Sequence, residues 1–365
     1  MRSRSFLSPI VAQRVLVIPP RFIGDVVVLT GWLRVLHQAL PHLQLLVYAP
    51  EASIPLLQGL PFIESLIPAQ KHSRHLQSIL KTHHIDTAVL LRFSLSDAFT
   101  LWRSGVRHRV GFAYQRLAKT CYLPTALGLT HALPYTGWAK HNQQHHLAYL
   151  AQLLQVFGVT PPETITSLAP RLAPLSPAEA EQAQHLKAQA FTLQGIEANT
   201  PYSVLHLAAS SAEKSVRPDQ VLPVLQEVLQ HTPQAVVCTG LAEHRALYED
   251  LRMALPTVYQ HWLVNLAGQG NLRCLQAWLT QAEALLSLDS APVHMAAAVG
   301  TPKIMTWFGA VPSRLWQAIP AHPHQRHQAV ETLPACKPCL AKQCSHNACK
   351  TGMTGLQGVQ AYRNL

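Results

Sequence analysis

Short apolar runs separated by helical patterns set the grammar of this chain. Residues 15–18 form a compact, largely β-branched run that reads as a strand buried on both faces. Gly24 follows where the backbone has to turn, and residues 26–40 then carry apolar side chains at helical spacing. Further strands are predicted at 44–48, 61–68, 87–91 and 109–112, with helices at 54–60, 73–82 and 96–104 between them. Strands alternating with helices predict a parallel sheet covered on both faces. Residues 113–140, punctuated by Pro124, Pro134 and Gly137, read as a long functional loop, and 142–158 as a long helix.

A proline-rich stretch at 160–174 reads as a linker, and 178–193, rich in Ala, Glu, Gln and Lys, as an exposed helix. The same grammar then restarts. Strands are predicted at 203–207, 235–239, 285–288 and 303–308, and helices at 218–231, 242–254, 276–283 and 292–299. Gly300 sits where a helix C-terminal cap belongs, with Pro302 just beyond it. A chain of 365 residues exceeds what one hydrophobic core usually supports. The expected organisation is a first domain at 1–165, a linker and helix at 166–198, a second domain at 199–335 and a Cys-rich tail at 336–365. Two doubly wound α/β domains in series would face a central cleft, which suits an enzyme joining two substrates.

Composition narrows this. A hydrophobic content of 48% excludes wholesale disorder, while charged residues at 13% fall well below the usual quarter. No run reaches 18 apolar residues, so no transmembrane helix is expected. Pro9, Gln13 and Arg14 interrupt the basic N-terminal stretch before a signal-peptide core can form, and a cytoplasmic protein is expected. The net charge of +11 is uneven: residues 1–160 hold 15 Lys+Arg against 5 Asp+Glu, and residues 161–365 hold 14 against 13. The first half therefore expects an anionic partner: nucleic acid, a phosphorylated glycolipid or an anionic membrane face. A solvated basic surface is the plain alternative.

Seven cysteines are present. Cys121, Cys238 and Cys274 lie in apolar surroundings and read as core residues. Cys336, Cys339, Cys344 and Cys349 cluster. Their spacing is not that of a standard zinc finger, so a reduced structural lobe is expected, with zinc as the alternative.

Asp25 stands at the exit of the first strand, and ligands of open α/β sheets bind at strand carboxyl ends. The bland reading makes it a helix N-cap. The run Leu288-Asp289-Ser290-Ala291-Pro292-Val293-His294 reads as strand, tight turn and helix start. Ser290 can cap that helix, whose unpaired N–H groups suit a pyrophosphate, while Asp289 can take a sugar or ribose hydroxyl. His294 lies about one turn inside the helix, and the alternative is a core-facing histidine. A second anion site is suggested at 208–218, where small residues including Ser210 let the backbone approach a phosphate and Lys214 supplies a point charge. Glu243, on the next strand-to-helix turn, can accept sugar hydroxyls or simply sit in a helix first turn. No Gly-x4-Gly-Lys-Ser/Thr and no Gly-x-Gly-x-x-Gly follows any strand, which disfavours a P-loop phosphotransferase and a dinucleotide dehydrogenase.

These residues in this order resemble glycosyltransferase family 9, the lipopolysaccharide heptosyltransferases. The resemblance rests on the opening strand with Gly24-Asp25, Pro61-Phe-Ile-Glu-Ser-Leu-Ile-Pro68, Arg109-Val-Gly-Phe112, Lys214 before a helix and Gly240-Leu-Ala-Glu243. It continues through Asp289-Ser290 with His294-Met-Ala-Ala-Ala, Gly300-Thr-Pro, Trp307-Phe-Gly-Ala-Val-Pro312 and the Cys-rich tail. Where the family has Asp-Ser/Thr-Gly this chain has Ala291, and where it has an aromatic after the lysine this chain has Val216. The resemblance implies a GT-B fold of two Rossmann-like domains, with donor in the second and acceptor in the first. It implies Asp25 as general base, and Lys214, Glu243, Asp289, Ser290 and His294 around ADP-heptose.

The expectation is thus an inverting transferase moving a heptose from ADP-heptose to a lipopolysaccharide inner-core acceptor, using no cofactor and no metal. It would work at the cytoplasmic face of the inner membrane. Alternatives are a family 9 transferase of another nucleotide sugar and a sugar-nucleotide epimerase of the same fold. An RNA-binding protein is disfavoured because aromatics are only 7%. Arg92, Arg107, Arg109 and Arg116 fall near strand ends and are expected to bind the acceptor, since a guanidinium grips two oxygens of a phosphate or carboxylate at once. The competing reading is that they make internal ion pairs.

Overall fold

The structure, a computed structural model, describes residues 9–70, 73–114, 128–135, 142–208, 214–231, 234–338, 344 and 346–365. The chain divides into two compact units, Met1–Ala173 and Pro174–Leu365. The division falls inside the stretch expected to be a linker, and the helix that follows it belongs to the second unit.

In the first unit β1 (Arg14–Ile18), β2 (Gln44–Ala49), β3 (Ser65–Pro68), β4 (Thr87–Leu90), β5 (His108–Tyr114) and β6 (His131–Tyr135) form one sheet in the order β3-β2-β1-β4-β5-β6. Every pairing is parallel. α1 (Ile23–Ala39) follows β1, α2 (Ser73–Thr82) follows β3, α3 (Leu95–Arg103) follows β4, and α4 (His146–Leu153) closes the unit. One face of the sheet, including Leu16, Ile18, Leu46, Tyr48 and Leu90, packs on Leu76 and Leu80 of α2 and on Ala98 and Leu101 of α3. The alternate residues Val15 and Val17 are also wholly buried, which is why β1 reads as a continuous apolar run.

Several local expectations shift. Gly24 makes no turn: Phe22 is the extended N-cap of α1, and Gly24 is its second helical residue. Asp25 is therefore third in the helix and not its cap. The expected loop at 113–140 contains an edge strand, β6, although residues 115–127 and 136–141 lie outside the described set. The expected strand at 61–68 shrinks to β3, and the helix expected from 142 begins at His146, with a 3-10 turn at Leu154–Phe157.

The second unit repeats the plan. α5 (Pro177–Leu193) opens it, held by a capping box in which Ser176 and Glu179 satisfy each other's backbone N–H. Then come β7 (Tyr202–His206), α6 (Pro218–His231), β8 (Ala235–Cys238), α7 (Arg245–Ala254), β9 (Leu263–Asn265) and α8 (Leu272–Gln281). β10 (Ala284–Leu288), α9 (Ala291–Val299), β11 (Lys303–Phe308), β12 (Arg326–Glu331) and α10 (Gly355–Arg363) complete it. The sheet order is β12-β11-β10-β7-β8-β9, again all parallel. Read from its own first strand this is the order of the first unit. The tail is structural where described: α10 lies on α6 so closely that a Cβ on Gly358 would meet Val224 Cγ2 at 2.6 Å. Cys349 is buried, Cys336 is exposed, and Cys339 falls outside the described residues. Cys238 and Cys274 are buried core residues.

Gly31 shows how tightly the first unit closes. A Cβ there would fall on the Leu168 carbonyl and lie 2.8 Å from the carbonyl oxygen of Ala169. Alanine improves helix propensity by about 1 kcal/mol, but driving a methyl into backbone costs about 1–3 kcal/mol and cannot be relieved by a rotamer change. Gly31→Ala should therefore lower the urea midpoint. An unchanged or raised midpoint would show that the 165–169 turn yields freely.

Candidate functional site

β7 and β10 are neighbours whose following segments diverge, because the sheet grows outward from them in opposite directions. Such a reversal is where open α/β sheets leave a ligand crevice. Lys214 follows β7 and Asp289 follows β10, and the two meet there. The Lys214 ammonium donates to the Asp289 carboxylate at 2.9 Å and to its backbone carbonyl at 2.8 Å. The Asp289 amide donates in turn to the Trp307 carbonyl on β11. One ion pair thus ties together the ends of three strands.

Ser290 is the N-cap of α9, but its side chain does not act as one. The hydroxyl turns back to the Leu288 carbonyl at 3.3 Å, so the expected capping bond is replaced. Pro292 lies in the first turn and has no N–H to satisfy. The start of α9 is consequently uncapped by its own side chain and offers the positive end of the helix at the same edge. His294 is buried one turn further in. Glu243 lies on the 3-10 turn Ala242–His244 after β8, exposed to solvent at that carboxyl edge. Ser210 lies outside the described residues.

Two buried histidines of this sheet were not singled out from the sequence. His206, the last residue of β7, pairs through Nδ1 with the Thr239 hydroxyl at 2.9 Å. Burial, and then the neighbouring His244, push its pKa down to about 4. His327 on β12 pairs through Nε2 with the Thr306 hydroxyl of β11 at 2.9 Å. Burial likewise pushes its pKa down to about 4, with His294 lowering it further and the Ala318 carbonyl and Asp289 opposing the shift. For His206 the available signal was a polar residue closing a mostly apolar strand, whereas the polar β12 offered none for His327.

In the first unit the corresponding reversal lies between β1 and β4. Asp25, half-buried, sits in the first turn of α1 just past β1, where the helix end stabilises negative charge. Arg92 follows β4 at the same edge. Its Nε donates to Asp97 at 2.6 Å with both side chains nearly buried, and its guanidinium lies 5.8 Å from the Tyr48 ring centre. Arg92 thus makes the internal ion pair that the sequence left as the competing reading. Arg109 and Arg107 are not with it. Arg109 is the second residue of β5 and Arg107 precedes that strand, so both lie at the opposite, amino edge of the sheet. The Arg109 guanidinium caps the carbonyls of Gly128 and Val106 at 2.6 Å each, whereas Arg107 is exposed. Arg116 lies outside the described residues. The expected four-arginine site therefore separates, leaving Arg92 beside the β1–β4 reversal.

Comparison with known proteins matches this architecture. Residues 73–350 fit the sequence model of Glycosyltransferase family 9 (heptosyltransferase). The lipooligosaccharide heptosyltransferase 2 of Haemophilus ducreyi is 24% identical over 298 residues, 80% of this chain and 81% of that protein. Among solved structures, the family 9 glycosyltransferase from Veillonella parvula superposes with a TM-score of 0.74 at 16% identity, covering 96% of each chain. The ADP-heptose lps heptosyltransferase II of E. coli gives 0.69 at 18% identity, over 96% of this chain and 98% of that one. The shared fold is GT-B, two Rossmann-like units in one chain.

The buried histidines predict how stability depends on pH. Each has a folded pKa of about 4 and an unfolded one of about 6.5, so the unfolded chain binds more protons between those values. Their contribution is complete above pH 6.5 and is lost as pH falls towards 4, amounting to about 2 kcal/mol each at pH 5. Urea unfolding at pH 7 and pH 5 should show a smaller loss in His206→Gln or His327→Gln than in the unmodified protein. Equal losses in all three would mean that these imidazoles are not buried neutral.

Proposed function

The chain belongs to glycosyltransferase family 9, and we propose that it moves a heptose from ADP-heptose onto a lipopolysaccharide inner-core acceptor with inversion. The observation that carries this reading is that each unit has its own strand-order reversal, one edged by a carboxylate at a helix start and the other by a lysine. Asp25 takes the proton of the acceptor hydroxyl. The oxygen attacks the anomeric carbon from the face opposite the diphosphate, the new C–O bond forms, and the anomeric C–O bond to phosphate breaks. The departing diphosphate charge is met by Lys214 and by the uncapped start of α9. Asp289 keeps Lys214 in place until the donor arrives and then serves the sugar or ribose hydroxyls, with Glu243 and His294 on the same side of the sheet.

Arg92 is suited to a phosphate or carboxylate of the acceptor. Asp97 occupies its Nε, and among the described residues its two terminal amino groups, Nη1 and Nη2, donate to no protein atom. A paired, stacked guanidinium is pre-oriented for such a group. Such an acceptor is carried in a membrane leaflet. No helix among the described residues is long and apolar enough to cross a bilayer, so the enzyme would meet it as a peripheral protein at the cytoplasmic face of the inner membrane.

A second reading, transfer from another nucleotide sugar, is favoured by Ala291 and Val216, which depart from the family pattern beside the donor residues. A thermal-shift panel of nucleotide sugars separates the two, because the true donor raises the melting temperature with concentration. For the main reading, Asp25→Asn should cut turnover on the order of 10²- to 10⁴-fold while donor affinity by calorimetry stays unchanged. Near-normal turnover in that variant would remove Asp25 from the chemistry.

A further inference from the structure

α3 is apolar on two sides. Ala98 and Leu101 face the core, as a helix covering a sheet requires. The opposite side carries Leu95, Phe99 and Trp102, which are 48%, 54% and 57% exposed. Spaced four and three residues apart, they form one stripe, and the rings of Phe99 and Trp102 are 5.5 Å apart. Isolated exposed apolar residues are ordinary, but three on one helix face, two of them aromatic, form a patch that asks for a partner.

The charge around the stripe is of one sign. Arg103 on α3, Arg107 just beyond it, and Arg74 and Lys81 on the adjoining helix α2 are all exposed. Between residues 73 and 114 the sequence has only two acids, Asp86 and Asp97. Asp97 is paired with Arg92, and Asp86 accepts the backbone amides of Gln13 and Arg14 and the Thr87 hydroxyl. Asp97 is thus neutralised by Arg92, and Asp86, beside His108 and Arg107, is the one acid of this stretch left to set against the exposed cations.

We propose that the α2–α3 face of the first unit docks on an anionic lipid surface. Phe99 and Trp102 would enter the headgroup boundary while Arg74, Lys81, Arg103 and Arg107 meet lipid phosphates. Aromatic side chains beside cations are the chemistry of interfacial insertion, and each cation near such a surface is worth about fivefold in affinity. A protein partner of ordinary kind would not require four exposed cations set against a single uncommitted acid. The proposal rests on the reading of a membrane-borne acceptor and says which surface brings the enzyme to it.

The test uses the full chain and two sets of vesicles, phosphatidylethanolamine with phosphatidylglycerol, and phosphatidylcholine alone. The protein should sediment with the first in a salt-sensitive way and not with the second. The double variants Phe99→Ser with Trp102→Ser, and Arg74→Glu with Arg103→Glu, should each reduce binding about tenfold or more. Trp102→Phe should retain it. All of them should turn over a water-soluble, de-acylated acceptor at the normal rate, which establishes that the variants fold. Variants that bind anionic vesicles as well as the unmodified chain, or an unmodified chain that does not bind them, overturn the proposal. So does a dimer in sedimentation velocity that the aromatic variant abolishes, since the stripe would then belong to a second copy. Failure of the unmodified enzyme to use the soluble acceptor, with vesicle binding intact, overturns the transfer reading alone.

Discussion

In a parallel sheet every strand ends on the same edge, and each helix that follows presents its positive end there. What gives that edge a crevice is the reversal of strand order beside the first strand. Once β1 has β2 on one side and β4 on the other, the segments leaving β1 and β4 must part. Asp25 and Arg92 leave from those two strands, and Lys214 and Asp289 leave from β7 and β10. The same placement recurs in both units without any repeated sequence. It is therefore topology that gathers these polar side chains, and a residue's distance past its strand decides whether it is gathered.

The interactions at these reversals contribute position more than stability. A half-buried ion pair such as Lys214–Asp289 loses most of its Coulomb gain to desolvation. Its effect is that an ammonium and a carboxylate, 75 residues apart in sequence, are fixed across the crevice. The buried histidines tie neighbouring strands together in a different way. His206 reaches from β7 to Thr239 at the end of β8, and His327 joins β12 to Thr306 on β11. A buried imidazole kept neutral can bond a hydroxyl without carrying a charge into the core, and the cost of that arrangement appears only when protons are supplied.

How much of this was legible depends on how many neighbours a strand has. The central strands β1, β4, β7 and β10 are flanked on both sides and covered on both faces, so their sequences are mostly apolar runs. The edge strands were harder. β6 was read as loop because it contains Pro134 and alternates exposed with partly buried residues, both tolerated only at an edge. β12, Arg-His-Gln-Ala-Val-Glu, was missed because four of its six residues are polar, and β9 because it is only three residues long. Asp25, Lys214 and Asp289 could be found because a strand exit is a local pattern. The Lys214–Asp289 bond, the turned-back hydroxyl of Ser290 and the partners of His206 and His327 could not, since each is set by a residue that only folding brings near.

The arginines show where counting charges stops being structural evidence. Fifteen basic against five acidic residues left too few carboxylates to pair every cation of the first half. Yet an arginine needs acceptors, and carbonyl oxygens serve as well as carboxylates. Arg14 bonds the His83 carbonyl and the Gln44 side chain, Arg34 the Ser167 carbonyl, and Arg109 the carbonyls of Gly128 and Val106. These side chains are committed to holding segments together, but a carbonyl does not neutralise them. Their charge still contributes to the field around the first unit, which acts at the range of a Debye length whichever residue supplies it. The field and the site are thus separate properties of the same arginines. The field can draw an anionic surface towards α2 and α3, whereas gripping one phosphate or carboxylate requires a guanidinium placed at the reversal, and Arg92 is so placed.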